Sequence, residues 1–462
     1  MAITSIRLRN FRGFRDAKIE LKPLTVLLGP NSAGKSAFGH ALAAMAHAHK
    51  FYSTGPQVSL TPPVRDVERW PVDLGKTDDL RTLGTEGPIR IELETSAGLI
   101  ELGFGGLSDT NELLLSHIVH PSGEESIATK QTIQSPESAI NPSVSASIDL
   151  GYEVQSPDTY IRLTRINRQQ WREGDTEVSV IINGLILKAA QHMTGTNRLL
   201  SRAASNELLS LLENLVYLRA TRKRPSRGYQ NDFGEQQPIG YSGEWAPSVL
   251  HKHGHDPLQY LMLDDAKSHT SKWSAHNESL ANAVATWLSS TRLAQRIKTI
   301  PPNAPDTSIK LRIALDEVAF HDVTEVGFGL SQIIPVFTAG LLQPKESLLI
   351  VDLPEAHLHP RPQGLVADFF CSLAKSERNT LVETHSEMFF HRLRLRAAMD
   401  PELMQNIAVY FIDPPKDGAC CVPRRIGLRY EEELSWPKDF LDEAYENEIQ
   451  INAVRQERER QS

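Results

Sequence analysis

Gly29-Pro30-Asn31-Ser32-Ala33-Gly34-Lys35-Ser36 is the stretch that decides how this chain is read. It follows the apolar run Leu24–Leu28 and precedes Ala37–Ala44, which has the composition of a helix. A strand, a glycine-rich turn and a helix opening on Lys-Ser are the context of a phosphate-binding loop. The glycines let successive backbone N–H groups turn inward on phosphate, and the helix N-terminus adds its partial positive charge. Lys35 would then reach the β- and γ-phosphates and Ser36 would hold Mg2+. Gly29, Asn31, Ser32, Ala33 and Gly34 complete the cradle. The stretch predicts a site for a nucleoside triphosphate.

The 462 residues are enough for two or three domains. A hydrophobic share of 40% and a charged share of 23% are ordinary for a globular protein. The net charge of -8 argues against a chain coated in basic surface, although local patches survive such an average. Cys371, Cys420 and Cys421 form neither a disulfide framework nor a spaced metal cluster, which points to a reducing compartment. Charges near Met1 break the apolar core that a signal peptide needs, and no apolar run has the length of a membrane span. The expected location is cytoplasmic, with no membrane partner.

Working outward from the loop, residues 3–28 alternate and then turn continuously apolar, which predicts two strands around Arg9-Asn10-Phe11-Arg12-Gly13-Phe14 before a buried third. A helix is expected from Ser36 to about His49. Strand character recurs at 87–95, 98–104, 111–120, 146–152, 157–164 and 176–188, with Asn183-Gly184 as a hairpin signal. The Ser/Glu/Pro/Gln-rich stretch 121–145 reads as a mobile surface loop. Helical periodicity is read over 189–216, near 255–270 and over 278–297, followed by strands at 308–314 and 317–321. The last third alternates helix 329–342, strand 347–352, helix 362–376, strand 379–383, helix 386–397 and strand 406–412. That alternation predicts a mostly parallel sheet in an α/β fold.

A phosphate-binding loop of this kind needs an acidic residue at a strand end to hold Mg2+. Asp352, closing Leu348-Leu349-Ile350-Val351-Asp352, is the candidate. Pairing it with Ser36 requires the intervening chain to be inserted into one nucleotide-binding fold. Ahead of it, Val326-Gly327-Phe328-Gly329-Leu330-Ser331-Gln332 opens an apolar helix, a second place where backbone donors can meet phosphate. Behind it, His385 in Val382-Glu383-Thr384-His385-Ser386 stands at a strand end, where it could sense the γ-phosphate or orient water.

Taken together, Gly29–Ser36, Gly327–Gln332, Val351-Asp352-Leu353-Pro354-Glu355-Ala356-His357-Leu358-His359-Pro360 and Glu383-Thr384-His385-Ser386 resemble the ABC-type ATPases of the SMC-like and RecF-like branch. The resemblance is nearest to the bacterial OLD-like ATPases, many of which serve in antiphage defence. Within these the chain looks like a subgroup with a small C-terminal domain. Its marks are Asp73-Leu74-Gly75, Tyr217-Leu218-Arg219, Gly228-Tyr229, Gly243-Glu244 and Trp436-Pro437-Lys438-Asp439-Phe440. The resemblance implies an ABC-type P-loop NTPase head. Its first half would be 1–94, with a β-rich insertion over 95–190 and a helical insertion over 191–305. The second half of the head would be 306–405, and a small C-terminal domain 406–462.

The resemblance further implies that ATP and Mg2+ are held between two protomers. The Lys35 loop of one would face Gly329, Ser331 and Gln332 of the other, and His385 would be the switch histidine. The family pattern places a catalytic Glu directly after the Mg2+ acid, whereas this chain has Leu353. Either hydrolysis is slow or Glu355 substitutes as base, a group whose loss costs about 10² to 10⁴ in rate. His357 and His359 have a spacing that permits metal, but the resemblance implies that the segment shapes the dimer-facing loop.

Larger OLD proteins carry a Toprim nuclease domain. The roughly 65 residues beyond 397 are few for one by ordinary domain size, and no Asp-x-Asp pair ends a strand there. Nuclease activity of the chain itself is therefore not expected. The nucleic-acid or partner candidates are Arg219, Arg222, Lys223, Arg224 and Arg227, five basic residues in nine. Arg219 could instead line the nucleotide site. Two functions stay open. One is an ATP-gated sensor or scaffold, dimeric or larger, for a separate effector such as a nuclease or toxin in antiphage defence. The other is a DNA-clamping ATPase of repair or recombination.

Overall fold

The computed structural model describes residues 3–51, 60, 70–72, 74, 80–85, 89–96, 98–106, 113–121, 160–162, 164–165, 171–173, 176–183, 186–192, 197–199, 202–230, 238–264, 272–303, 308–415 and 420–429. The chain opens with β1 (Ile3–Phe11), β2 (Phe14–Glu20), β3 (Leu24–Leu28) and α1 (Ser36–Phe51). Then come β4 (Ile89–Thr95), β5 (Gly98–Gly106), β6 (Leu113–Pro121) and β7 (Tyr160–Arg162). A second run holds β8 (Thr164–Arg165), β9 (Trp171–Glu173), β10 (Thr176–Asn183), β11 (Ile186–His192) and β12 (Asn197–Leu199). The middle holds α2 (Arg202–Asn214), β13 (Val216–Leu218), α3 (Ala246–His253), β14 (Pro257–Leu263), β15 (Trp273–Ser279), α4 (Leu280–Ser290), β16 (Arg296–Ile300), β17 (Lys310–Ala314) and β18 (His321–Asp322). The last third is α5 (Phe328–Leu342), β19 (Leu348–Asp352), α6 (Pro360–Lys375), β20 (Asn379–Glu383), α7 (Glu387–Met399), α8 (Pro401–Gln405), β21 (Ile407–Asp413) and β22 (Val422–Arg425).

The central sheet has the order β13-β19-β20-β3-β21-β22. Every pairing in it is parallel except the antiparallel edge of β21 with β22. All five residues of β3, of β19 and of β20 are buried. That is why these segments read as continuous apolar runs: both faces of a parallel sheet are covered. The two faces feed two cores. Leu27, Leu348, Ile350 and Leu381 join the core shared with α1, α2 and the antiparallel sheet β2-β1-β4-β5-β6-β7. Leu24, Val26, Leu349, Val351 and Val382 join the core shared with α3–α7. Strand parity then sends Asp352 and Glu383 to the α1 face, in step with Ile350 and Leu381. The fold is thus the expected α/β P-loop class: a mixed sheet, a mostly parallel core sheet, and the P-loop joined to Asp352 across long insertions.

Four predicted elements differ, one of them the strand expected at 317–321, which is reduced to β18 at His321–Asp322. Residues 189–192 continue β11 and 197–199 form β12, and the helix starts only at Arg202. Of the helix expected near 255–270, residues 257–263 form β14 instead, which pairs with β15 in register from Pro257↔Ser279 to Leu263↔Trp273. The apolar cluster Leu258, Tyr260, Leu261, Met262 and Leu263 is short enough to fit either period, and tertiary context decides. Ser372 Oγ of α6 donates to Leu261 O, fastening the hairpin to that helix. The expected helix over 278–297 stops at Ser290, and β16 follows. The region 191–305 therefore carries α2, α3 and α4 but also this hairpin and the strands β12, β13 and β16, so it is not a purely helical insertion. The expected strand at 146–152, the loop 121–145 beyond residue 121, Asp73, Gly75 and the segment 430–462 lie outside the described residues.

Candidate nucleotide-binding site

The loop after β3 turns where its glycines allow. Gly29 has φ 139°, and a Cβ there would lie 2.7 Å from Ile412 O of β21, so a side chain is excluded by the neighbouring strand. Ser32 at φ 62° and Gly34 at φ 90° continue the turn. Loop residues Asn31, Ser32, Gly34, Lys35 and Ser36 line a cavity of about 350 Å³ together with Glu383 and His385. Such a volume suits a small-molecule ligand. Lys35 is 3% exposed, its Nζ donates to Pro30 O at 2.6 Å, and it stands 4.0 Å from Glu383 Oε1. Burial lowers its pKa, while the charges of Glu383 and Glu355 oppose that shift.

Asp352 and Glu383 are register partners at the C-terminal ends of β19 and β20. The Tyr217 hydroxyl donates to Asp352 Oδ2 at 2.6 Å, and His40 Nε2 of α1 lies 3.7 Å from the same oxygen. Burial, then the charge of Asp352, raises the Tyr217 pKa well above its ordinary value, so Tyr217 stays a donor. Gly39 lets α1 come this close: a Cβ there would sit 3.0 Å from Ile350 Cγ2. Burial, then the charge of Asp352, pushes the Glu383 carboxyl up to about 7, and Ser36 and Lys35 act in the opposite sense.

Arg222 belongs to this site. It is 3% exposed and donates to Asp352 O at 2.7 Å and Leu353 O at 3.1 Å. Burial lowers its pKa to about 10, against the charges of Asp352 and Glu355. It clamps the turn after β19, where Leu353 has φ 47° and donates its N–H to Glu383 O at 2.8 Å. Arg222 is thereby removed from the surface set proposed for nucleic acid, because its guanidinium is spent on buried carbonyls. Lys223, Arg224 and Arg227 are exposed. Arg219 is half-buried, donating to Trp70 O at 3.4 Å with its guanidinium 6.0 Å from the Tyr241 ring centre.

His385 is exposed within the cavity, and its Nδ1 meets Gly29 O at 3.2 Å, which requires the Nδ1–H tautomer. Burial, then Lys35, lowers its pKa. Glu355 is 6% exposed and does not line this cavity; its Oε1 accepts the His385 N–H at 2.9 Å. Burial raises its pKa. Glu355 therefore stands behind His385 and fixes its backbone.

Gly329, Ser331 and Gln332 do not line the P-loop cavity of their own chain. Ser331 Oγ donates to Phe328 O at 2.7 Å. Gln332 is 2% exposed, its Nε2 donating to Lys223 O at 3.3 Å and Ser331 Oγ at 3.1 Å. Its amide is thus turned inward as a packing group rather than toward a ligand. A Cβ on Gly329 would meet His357 O at 2.5 Å, so α5 packs its start directly on the loop after β19. Gly327 has open space around it, and Phe328 meets the His357 ring edge-on at 4.8 Å.

Sequence reasoning missed four contributors. Glu383 ends an apolar strand as Asp352 does, and that signal could have found it. Arg12 lines the cavity from the β1–β2 turn at φ 51° and meets His40 Nδ1 at 2.9 Å. His40 had no motif to mark it. Cys421 also lines the cavity; its Sγ fills the space that a Cβ on Gly13 would need, at 2.7 Å.

The residues fit Mg2+ as a hard cation bound by oxygens: Ser36 Oγ, the Asp352 carboxylate and the Glu383 carboxylate, whose Oε2 is buried without a hydrogen-bond partner. Among the described residues there is no ready cluster of three or more His, Cys, Asp or Glu. An ion completed by phosphate and water needs none. None of the helices among the described residues is long and apolar enough to cross a membrane.

The chain is similar in outline to solved SMC heads. An SMC head bound to the C-winged helix domain of ScpA shares 11% identity over 93% of this chain and 99% of that chain, with TM-score 0.41. The SMC head domain from Thermotoga maritima shares 9% over 92% and 100%, with TM-score 0.35. The Smc head domain with an extended coiled coil from Pyrococcus furiosus, bound to the C-terminal domain of ScpA, shares 10% over 94% and 98%, with TM-score 0.41. No curated protein matches the chain. Residues 1–207 match the family model described as an AAA ATPase domain. Together with the geometry of the P-loop, that match supports an ATP-binding ATPase.

Proposed function

We propose that the chain is an ATP-gated regulatory ATPase that holds or triggers a separate effector in bacterial antiphage defence. ATP would lie in the Gly29–Ser36 cradle with Lys35 on its β- and γ-phosphates. Ser36 and Asp352 would hold Mg2+, which supplies charge neutralisation at the transferring phosphate. His385 would report the γ-phosphate from the end of β20. Leu353 has no proton acceptor and Glu355 lies behind His385, so slow hydrolysis suits a switch.

The observation that carries the gating is the start of α5. Gly327 and Phe328 are exposed, and the segment lies off the P-loop cavity of its own chain. A helix N-terminus can help bind phosphate only if a second copy brings it there. ATP would then stabilise the closed pair because that contact exists only in it. The assignment to defence is supported by the OLD-like motif set. Native mass measurement with and without a non-hydrolysable ATP analogue tests the reading. A dimer, or a complex with the effector encoded beside it, should appear only with nucleotide; an unchanged monomer would contradict it.

A second reading, a DNA-clamping ATPase, is favoured by the exposed cations Lys223, Arg224 and Arg227. It predicts ATP-dependent duplex binding by the chain alone that weakens with salt.

A further inference from the structure

The strand order brings a carboxylate to the phosphate loop that neither motif spacing nor the match describes. β20 lies between β3 and β19 in the central sheet, so its C-terminal end is closer to the P-loop than the end that carries Asp352. Glu383, the last residue of β20, lines the cavity together with Lys35 and Ser36, while Asp352 does not. The Glu383 side chain is 10% exposed. Its Oε1 faces Lys35 Nζ at 4.0 Å, and its Oε2 is buried with no hydrogen-bond partner. A bare carboxylate oxygen kept from water is costly unless another state of the protein completes it.

Asp352 is the better satisfied of the two. It accepts from Tyr217, and His40 lies beside the same oxygen, while Arg222 holds its backbone carbonyl. The register pairing of the two residues makes them adjacent acids on one face of the sheet, with His40 of α1 beside Asp352 and Ser36 lining the same cavity as Glu383.

We propose that Glu383 is a carboxylate of the divalent-cation site, acting beside Asp352 and Ser36. The inference rests on the ATP-binding reading above. A cation here would complete Glu383 Oε2 while Lys35 leaves Oε1 for phosphate. If Glu383 were only a counter-ion for Lys35, its contribution would be felt with or without metal.

Calorimetry of ATP binding separates these roles, using the full chain in EDTA and then in Mg2+ or Mn2+, with folding checked by circular dichroism. Wild type should bind more tightly with metal. Glu383→Gln should lose at least about tenfold of that metal-dependent gain, with its EDTA affinity within threefold of wild type or tighter. Glu383→Asp, which keeps a shorter carboxylate, should recover part of the gain. Mn2+ magnetic resonance on the ADP complex should show a weakened or altered metal signal in Glu383→Gln. The same metal-dependent gain in wild type and Glu383→Gln would overturn the proposal, as would an effect confined to EDTA. Absence of ATP binding by wild type in either condition would overturn the nucleotide reading itself, and this inference with it.

Discussion

Glu355 and His385 are joined through one hydrogen bond, from the His385 N–H to Glu355 Oε1, and that bond sets the expected outcome of mutation. Glutamine keeps an acceptor at the same place. Glu355→Gln should therefore lower steady-state ATP turnover by less than about threefold, whereas Glu355→Ala, which loses the bond, should lower it by at least tenfold. A general base would show the opposite pattern, with glutamine already costing about 10² or more. His47 gives a separate test on stability. It is 1% exposed, its Nδ1 meets the Tyr241 hydroxyl at 2.7 Å, and its ring lies 4.6 Å from Trp70. Burial, then the nearby Lys50, lowers its pKa from 6.5 to about 4. The folded state thus keeps His47 neutral while the unfolded chain takes up a proton below pH 6.5. This contribution is fully present above 6.5 and lost as pH falls toward 4, by about 2 kcal/mol at pH 5. Thermal unfolding at pH 7 and pH 5 should show a steeper acid loss in wild type than in His47→Gln. Equal slopes would exclude it. Lys35, Ser36 and Asp352 were legible because each sits at a fixed offset in a strand-to-loop pattern. Arg12 and His40 were not, because a contact between the β1–β2 turn and α1 leaves no spacing in the sequence.

At the scale of elements, the junction between α5 and the loop after β19 is the most sharply defined. Gly329 has His357 O and Leu358 Cδ2 where a Cβ would go, at 2.5 and 2.8 Å, while Gly327 has nothing within 4 Å. Gly329→Ala should destabilise the protein by about 1–3 kcal/mol, the cost of overpacking against backbone. Gly327→Ala should leave the unfolding midpoint close to wild type. Denaturant titration of both variants checks this, and equal midpoints would show that the junction is loose. The parallel strands and their helices were readable because burial on both faces forces continuous apolar runs, as in Leu24–Leu28. The hairpin of β14 and β15 was not. Of β14, only Tyr260 is fully buried, and the hairpin owes its state to packing on α6 rather than to its own period.

For the whole molecule, one sheet gathers the Gly29–Ser36 loop, Asp352, Glu383 and His385 from opposite ends of the sequence. The demand that Asp352 reach the P-loop was what made the long insertion legible, since no local signal marks a fold closed across such a separation. Which faces of the insertions pack where was not legible, because that depends on partners far apart in the chain. The central claim is that Lys35 sets its ammonium group against the phosphates of bound ATP. Calorimetry of ATP binding in Mg2+, comparing wild type with Lys35→Ala, tests it most directly. Removing a hydrogen bond to a charged group is worth about 1.5–3 kcal/mol, so affinity should fall by roughly 10- to 100-fold with the fold intact. An affinity for Lys35→Ala within threefold of wild type would contradict the account.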